Sequence, residues 1–464
     1  MLRHFELFLA CRYLRKKRLA FFSVVAVALS VAMLIVVSSV MGGFVEQFRI
    51  TCHSFYGDII VRSDGLMGFP YYEELIAEVN KLQGVEAATP VIRQFGLLRI
   101  DQEGQFKLFV KVVNILGIQP EGYSKITNFK QGLWQQSHRP GPPTLDLPAN
   151  FVPVPGLNIK GACIVGVEVL YNRDAQGNYD RPPQLYGSPA ILTMLPLKHT
   201  GLLDMEGRVN YPFLLIDDSE TSVPLIDEQT VYISFDVAQQ MSRMMAYEDD
   251  DGNEVPAKTS QVQIRVKPGV NLQQLRGQVR DIWQKIIAIK GDPGGAVVFE
   301  TWDEQEGISR LINQLEHDRT LMTILFGIMG IVSIFLIFCI FFVIVTEKIP
   351  DIGIIKSVGA SSAGVGRIFL AYALAVGVVG TLLGLAIGWP FVIHINTIHD
   401  WLARTFGWRI YDPSVLLFPH IPNEVDWYAT TIIIISALVG SLIGSMIPAI
   451  RAALMKPIKA LRYE

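Results

Sequence analysis

Four long apolar runs, one near the start and three near the end, constrain this 464-residue chain more than any other feature. They cover residues 19–41, 321–345, 368–395 and 427–450, and none contains Asp, Glu, Lys or Arg. Each reaches the roughly 20 residues an α-helix needs to cross a ~30 Å hydrocarbon layer. Between the first and second lies a polar, strand-rich stretch of residues. The pattern predicts an α-helical membrane protein with four transmembrane helices in a one-plus-three layout. A large mixed α/β extracytoplasmic domain is expected between helices 1 and 2.

The basic residues predict orientation. The string RYLRKKR at 12–18 precedes the first run, and such clusters stay on the cytoplasmic side. Four crossings then return two further segments to that side, and both are basic. Lys348, Lys356 and Arg367 lie in the 347–367 connection; Arg451, Lys456, Lys459 and Arg462 lie in the 451–464 tail. The outward 397–426 loop has Arg404 and Arg409 against Asp400, Asp412, Glu424 and Asp426, so it carries no positive excess. The expected layout is a cytoplasmic segment 1–18, helix 1 at 19–42 and an external domain at 45–318. Helix 2 follows at 320–346, helix 3 at 368–396 and helix 4 at 427–450. A cleaved signal peptide is the alternative for the first run. That run is too long for a 7–15-residue signal core and ends in Met41-Gly42-Gly43, so an uncleaved anchor is expected.

Half the residues are apolar and the formal net charge is −3. The basic residues sit at membrane edges rather than along one continuous stripe, which argues against nucleic acid as a partner. The four cysteines show no CxxC spacing. Of them, Cys52 and Cys163 are the pair that an oxidising compartment would hold. Two unpaired buried thiols are expected there, with a disulfide as the alternative.

Strand-like segments fall at 58–62, 91–100, 107–116, 190–194, 213–216, 230–234, 262–266 and 296–300, short and rich in β-branched residues. Helical spacing appears at 71–82, 236–245 and 272–289. Polar stretches at 139–155, 172–189 and 247–258 interrupt the pattern. The acidic run in the last lacks the spaced ligands of an EF-hand and reads as a solvated loop. From 303 to 345 there is no proline, so a helix continuous with the second span is expected; a break near Gly307 or Asp318 is the alternative. Such a helix would exceed the bilayer by roughly 25 Å.

No HExxH, GxSxG or Cys/His metal cluster occurs, so catalysis is not expected of this chain. The segment 359–367 lacks the Lys-Ser/Thr pair of a phosphate loop and reads instead as a helix–turn–helix. Gly359 would end a short helix at about 351–358, and Ser361 or Ser362 would cap the next. Ile352, Ile355 and Val358 would then form an apolar edge, flanked by Lys348, Asp351 and Lys356, suited to a groove on a partner. Insertion of that edge into the membrane interface is the alternative. In the third span Gly380, Gly384 and Gly388 recur every four residues, and the fourth has Gly440 and Gly444. Small residues at this spacing let helices pack closely, within the chain or between two copies.

Three strings carry a resemblance. These are RYLR at 12–15 with SVMGGF at 39–44, EKIPDIGIIKSVGAS at 347–361, and PAIRAALMKPIKALRYE at 448–464. Weaker matches are VEAATP at 85–90, GACIVGVEVL at 161–170 and TVYISFDVAQQM at 230–241. The chain resembles the transmembrane subunits of lipoprotein-releasing systems, within the wider FtsX-like, MacB-type ABC transporter permeases. The resemblance implies that a separate cytosolic ABC ATPase, binding ATP and magnesium, docks on Glu347, Lys348, Asp351, Ile352, Ile355, Lys356, Val358, Gly359 and Ser361. It implies no cofactor in this chain and a location in the bacterial inner membrane with both termini cytoplasmic. It implies a second permease copy or sibling, membrane lipid, a lipoprotein substrate and a periplasmic carrier as partners. It also implies a porter-like unit at 45–118 with 259–318, carrying an inserted unit at 119–258. Efflux of a peptide or amphiphile, control of a cell-wall hydrolase, and a non-transport sensor or scaffold are the alternatives.

Overall fold

The computed structural model describes residues 18–65, 67–101, 108–149, 151–153, 156–174, 177–182, 185–194, 209–248, 252, 254–291, 295–408, 411 and 420–456. Lys16, Lys17, Lys459 and Arg462 of the expected cytoplasmic clusters, together with Cys11, Arg409 and Asp412, lie outside them, as does the Asp249–Asp251 run. The longer helices, in chain order, are α1 (Arg18–Phe55), α2 (Tyr72–Val79), α3 (Leu272–Lys290), α4 (Glu306–Glu347), α5 (Ile349–Ser357), α6 (Ser362–Ile393), α7 (Ile395–Phe406) and α8 (Trp427–Leu454). The described residues divide into two compact units. One holds residues up to Gln47, Asn313 to Tyr411 and those from His420 onward; the other holds Phe48 to Ile312.

In the first unit, α1, α4, α6 and α8 are long and apolar enough to span a membrane. Their apolar residues surround each helix, as expected where lipid replaces water outside and backbone groups bond internally. Close packing fills the interior. A Cβ on Gly384 would lie 2.7 Å from Val31 Cβ and 2.8 Å from the Ala28 carbonyl oxygen. Gly380 and Gly388 meet Val27 and Ala32 of α1 in the same way, and Gly444 meets the Ile334 carbonyl of α4 at 2.7 Å. The small-residue faces therefore pack α6 on α1 and α8 on α4 within one chain. Ser30 and Ser333 add a hydroxyl–hydroxyl hydrogen bond between α1 and α4. At the start of α8, Asp426 accepts the Ala429 N–H at 3.0 Å as N-cap and approaches Arg319 of α4 at 3.6 Å.

The second unit is built on nine strands, β1 (Ile59–Ser63), β2 (Val85–Asp101), β3 (Leu108–Ile118), β4 (Ala162–Gly166), β5 (Pro189–Met194), β6 (Val209–Ser219), β7 (Thr230–Ser234), β8 (Gln261–Val266) and β9 (Val297–Thr301). Their order is β9-β1-β8-β2-β3-β7-β4-β6-β5, and β5 pairs back onto β2. The 17-residue β2 makes this possible. Its first half pairs with β8, and its second half pairs with β3 on one side and β5 on the other. Strands β2, β3, β7, β4, β6 and β5 thus close into a ring, while β9, β1 and β8 extend from it as an antiparallel sheet.

The ring interior is apolar, with Leu98, Ile115, Cys163, Val165, Leu192, Phe213, Leu215, Val231 and Ile233 buried. Cys52 and Cys163 are both buried free thiols. Two of the ring strands, β2 and β3, precede residue 119, so the ring takes more of the chain than the expected insertion at 119–258. Helices α2 and α3 pack on the extending sheet through Leu75, Val79, Leu275, Val279 and Trp283.

One charged cluster ties the end of α1 to this sheet. Arg265 on β8 donates from Nη2 to the carbonyl oxygens of His53 and Tyr56, at 3.3 and 3.1 Å. Its Nε donates to the Ile126 carbonyl oxygen. Carbonyls at a helix end lack intrahelical partners, and the guanidinium supplies them. Asp58, nearly buried, accepts the Val266 N–H at 2.6 Å and is flanked by His53 Nε2 and Arg265 Nη1. Burial pushes the Asp58 carboxyl up, but bonds from His53 and the Val266 N–H, with the Arg265 charge, outweigh it. Its pKa ends below the usual carboxylate range.

Several expectations differ from the structure at element ends. Helix α1 runs on to Phe55, past the expected 42, whereas α4 meets the expectation of a helix continuous with the second span, being one 42-residue helix that passes through Gly307 and Asp318 without a break. Residues 395–406, mostly expected as loop, are helical. The described part of 247–258 contains a small hairpin, Tyr247–Glu248 against Glu254–Val255.

Candidate functional site at the connection between the second and third spans

Between α4 and α6 the chain makes the compact helix α5. Pro350 stands in its first turn, where a missing N–H costs nothing, and Asp351 and Lys356 lie at the ends that suit their charges. Lys348 and Asp351 form an ion pair. The helix stops at Gly359, whose φ of +103° an L side chain rarely adopts. The Gly359 N–H bonds to the Lys356 carbonyl and the Ala360 N–H to the Ile355 carbonyl, which is the hydrogen-bond pattern of a Schellman turn. Ser361 then caps α6, its Oγ accepting the Gly364 N–H at 3.1 Å. The helix–turn–helix read from 359–362 is built from these residues.

The expected apolar edge is split. Ile352 is 3% exposed and joins a cluster with Val365 and Phe369 of α6. Ile355 is half-buried over a shallow hollow lined by Lys348, Asp351, Ile352, Val365, Ile368 and Phe369. These two isoleucines attach α5 to its own chain. The reason is register: α5 must bury one face to stay folded at nine residues, and Ile352 and Ile355 lie on it. The outward apolar residues are Ile354, 55% exposed, and Val358, 84% exposed. They stand at i and i+4, beside exposed Glu347, Ser357, Gly359 and Ser361.

Lys356 does not face outward either. Its Nζ donates to the Ala453 and Met455 carbonyl oxygens at 2.7 and 2.8 Å, at the end of α8. Sequence reading missed this because the two segments lie about 100 residues apart. It also missed the Arg265 cluster, where nothing local pairs the residues. The Asp426 cap was missed too, although an Asp directly precedes the fourth apolar run.

The architecture defines a class: a polytopic membrane protein with one span, an α/β unit, then three spans, with a short helix joining the second and third. Residues 323–457 match the FtsX-like permease C-terminal family, so the chain carries an FtsX-like permease domain. It is 22% identical over 478 residues to the lipoprotein-releasing system transmembrane protein LolE of Haemophilus influenzae, covering 98% of each chain. It is 24% identical over 476 residues to the LolC protein of Neisseria meningitidis serogroup B, covering 99% of each. The macrolide export ATP-binding/permease protein MacB of Bdellovibrio bacteriovorus is 27% identical over 205 residues, 44% of this chain and 28% of that protein. The periplasmic region of MacB from Actinobacillus actinomycetemcomitans, a solved structure, covers 56% of this chain and 94% of its own at 10% identity, with a TM-score of 0.27.

Proposed function

We propose that this chain is the membrane subunit of an ABC transporter that couples ATP hydrolysis in a separate cytosolic ATPase to release of lipoproteins from the inner membrane. The permease part of this reading is supported by the FtsX-like domain and by similarity to LolE and LolC along nearly the whole chain. Its coupling part is carried by one observation, the outward pair Ile354 and Val358 on a helix otherwise fixed to its own chain. A small apolar ridge among exposed polar residues suits a groove on a soluble partner. The ATPase would bind ATP and magnesium; this chain would receive the motion at α5. The large unit would then act on a lipid-anchored protein on the far side.

The test has two arms. Ile354→Glu with Val358→Glu should leave the permease folded in the membrane and abolish its co-purification with the ATPase, since each places a charge in an apolar contact. Retained complex would refute docking at this ridge. Depletion of the permease should retain lipoproteins in the inner membrane. Normal lipoprotein sorting with loss of drug or peptide efflux would instead assign the same machine another cargo.

A further inference from the structure

Helix α7 follows the third span after a single break at His394 and contains no buried residue. Ile395, Ile398, Leu402 and Phe406 recur along one face, while Asn396, Asp400 and Arg404 lie on the opposite one. One edge is tied down. The Asn396 side chain bonds both the N–H and the carbonyl of Ile421, at 3.0 and 2.9 Å, and His399 Nε2 accepts the Tyr411 N–H at 3.2 Å. Ile395, Ile398 and Leu402 are half-buried, and the exposed apolar side chains toward the end of the helix and just past it are aromatic. Trp401, Phe406 and Trp408 touch in series, with ring centroids 5.8 and 5.9 Å apart, and all three are more than half exposed.

These rings are not isolated. Trp389 near the end of α6 and Trp427 at the start of α8 meet at 6.0 Å, and both are exposed, as is Tyr428. Four of the chain's seven tryptophans therefore gather where the third span ends and the fourth begins. The exposed side chains of Ile387, Phe391 and Ile393 on the last turns of α6 lead directly into α7. That flank of α6 is lipid-facing if the helix spans the bilayer, so the apolar surface of α7 continues a lipid-contacting surface. Tryptophan favours this level, because an apolar ring and a polar N–H are satisfied together at the headgroup boundary.

We infer that α7 lies on the membrane surface at the far end of spans three and four, with Trp401, Phe406 and Trp408 inserted at the boundary between headgroups and acyl chains. Its Asp400 and Arg404 charges balance, so insertion is driven by apolar burial rather than by anionic lipid. The inference does not depend on which cargo the transporter handles.

The full-length chain would be reconstituted in phosphatidylcholine nanodiscs with acyl chains brominated near the headgroup, and compared with the Trp401→Phe, Trp408→Phe double variant. Subtracting the two emission spectra isolates Trp401 and Trp408. The expected result is that brominated lipid quenches most of this difference emission and aqueous acrylamide quenches little of it. Adding phosphatidylglycerol should leave the quenching unchanged. Difference emission quenched by acrylamide and untouched by brominated lipid overturns the inference. So does efficient cross-linking of a Trp401→Cys variant to a second copy, which would place protein on this face. If the double variant assembles poorly, subtracting either single Trp→Phe variant isolates one of the two tryptophans, and its quenching is read in the same way.

Discussion

Lys356 on the short helix α5 holds the end of the fourth span, its ammonium donating to the carbonyl oxygens of Ala453 and Met455. The last carbonyls of α8 have no partner within the helix, and a cation there also complements the helix dipole. A displacement of α5 that separated these groups would leave carbonyls and an ammonium unpaired. The residue thus fixes the angle at which Ile354 and Val358 project from α5.

Replacing Lys356 with Met keeps the stem and removes the donors. Hydrogen bonds from a charged group contribute about 1.5–3 kcal/mol, so the Lys356→Met permease should unfold at lower temperature in detergent while Ser357→Ala, exposed on the same helix, should not. An unchanged melting temperature for Lys356→Met would show that the α8 carbonyls find other partners.

Two glycines in the spans should respond oppositely to the same substitution. Helix propensity alone favours Ala over Gly by about 1 kcal/mol. Gly330 of α4 has nothing within 4 Å of an added Cβ, so Gly330→Ala should be neutral or stabilising. Gly384 would drive that Cβ against the Ala28 carbonyl of α1, which as helical backbone cannot turn aside. Overpacking of this kind costs about 1–3 kcal/mol, and Gly384→Ala should lower both the yield of monodisperse protein and its thermal stability. Equal behaviour of the two variants would contradict the α1–α6 packing.

What was readable in the sequence was local or periodic. Four charge-free runs gave the spans, and Gly359 with Ser361 gave the turn, because each follows from a few adjacent residues. Most strands were found because β-branched runs stand between turn residues; 162–166 was not found as a strand, being short and buried in the ring. The ring itself was hidden, since it depends on β2 being long enough to serve two sheets, and no sequence rule pairs 96–100 with 190–194. Helix α7 left a usable signal, apolar residues at helical spacing ended by Gly407 in the left-handed conformation. Lying between spans, the segment nevertheless reads as loop. The orientation of Ile352 and Ile355 was not legible at all. On so short a helix, which face is buried depends on α6, not on α5.

The cluster at the end of α1 predicts a dependence on pH. Asp58 titrates below its ordinary 3.8 in the folded unit, so the fold favours the carboxylate. The stability it contributes is present above pH 3.8 and is lost as pH falls through the folded value. Other carboxylates also titrate in this range, so the measurement is a difference. The protection factor of the Val266 amide, which donates to Asp58, should fall on acidification in the wild type. In Asp58→Asn it should be low already at neutral pH and change less with acid. Arg265→Met should be worse than either, because it strands a nearly buried carboxylate and two helix-end carbonyls; breaking a buried pair costs about 3–5 kcal/mol. If Arg265→Met instead protects Val266 as well as the wild type does, the guanidinium is not what joins α1 to β8, and the link must be carried by the apolar contacts of the sheet.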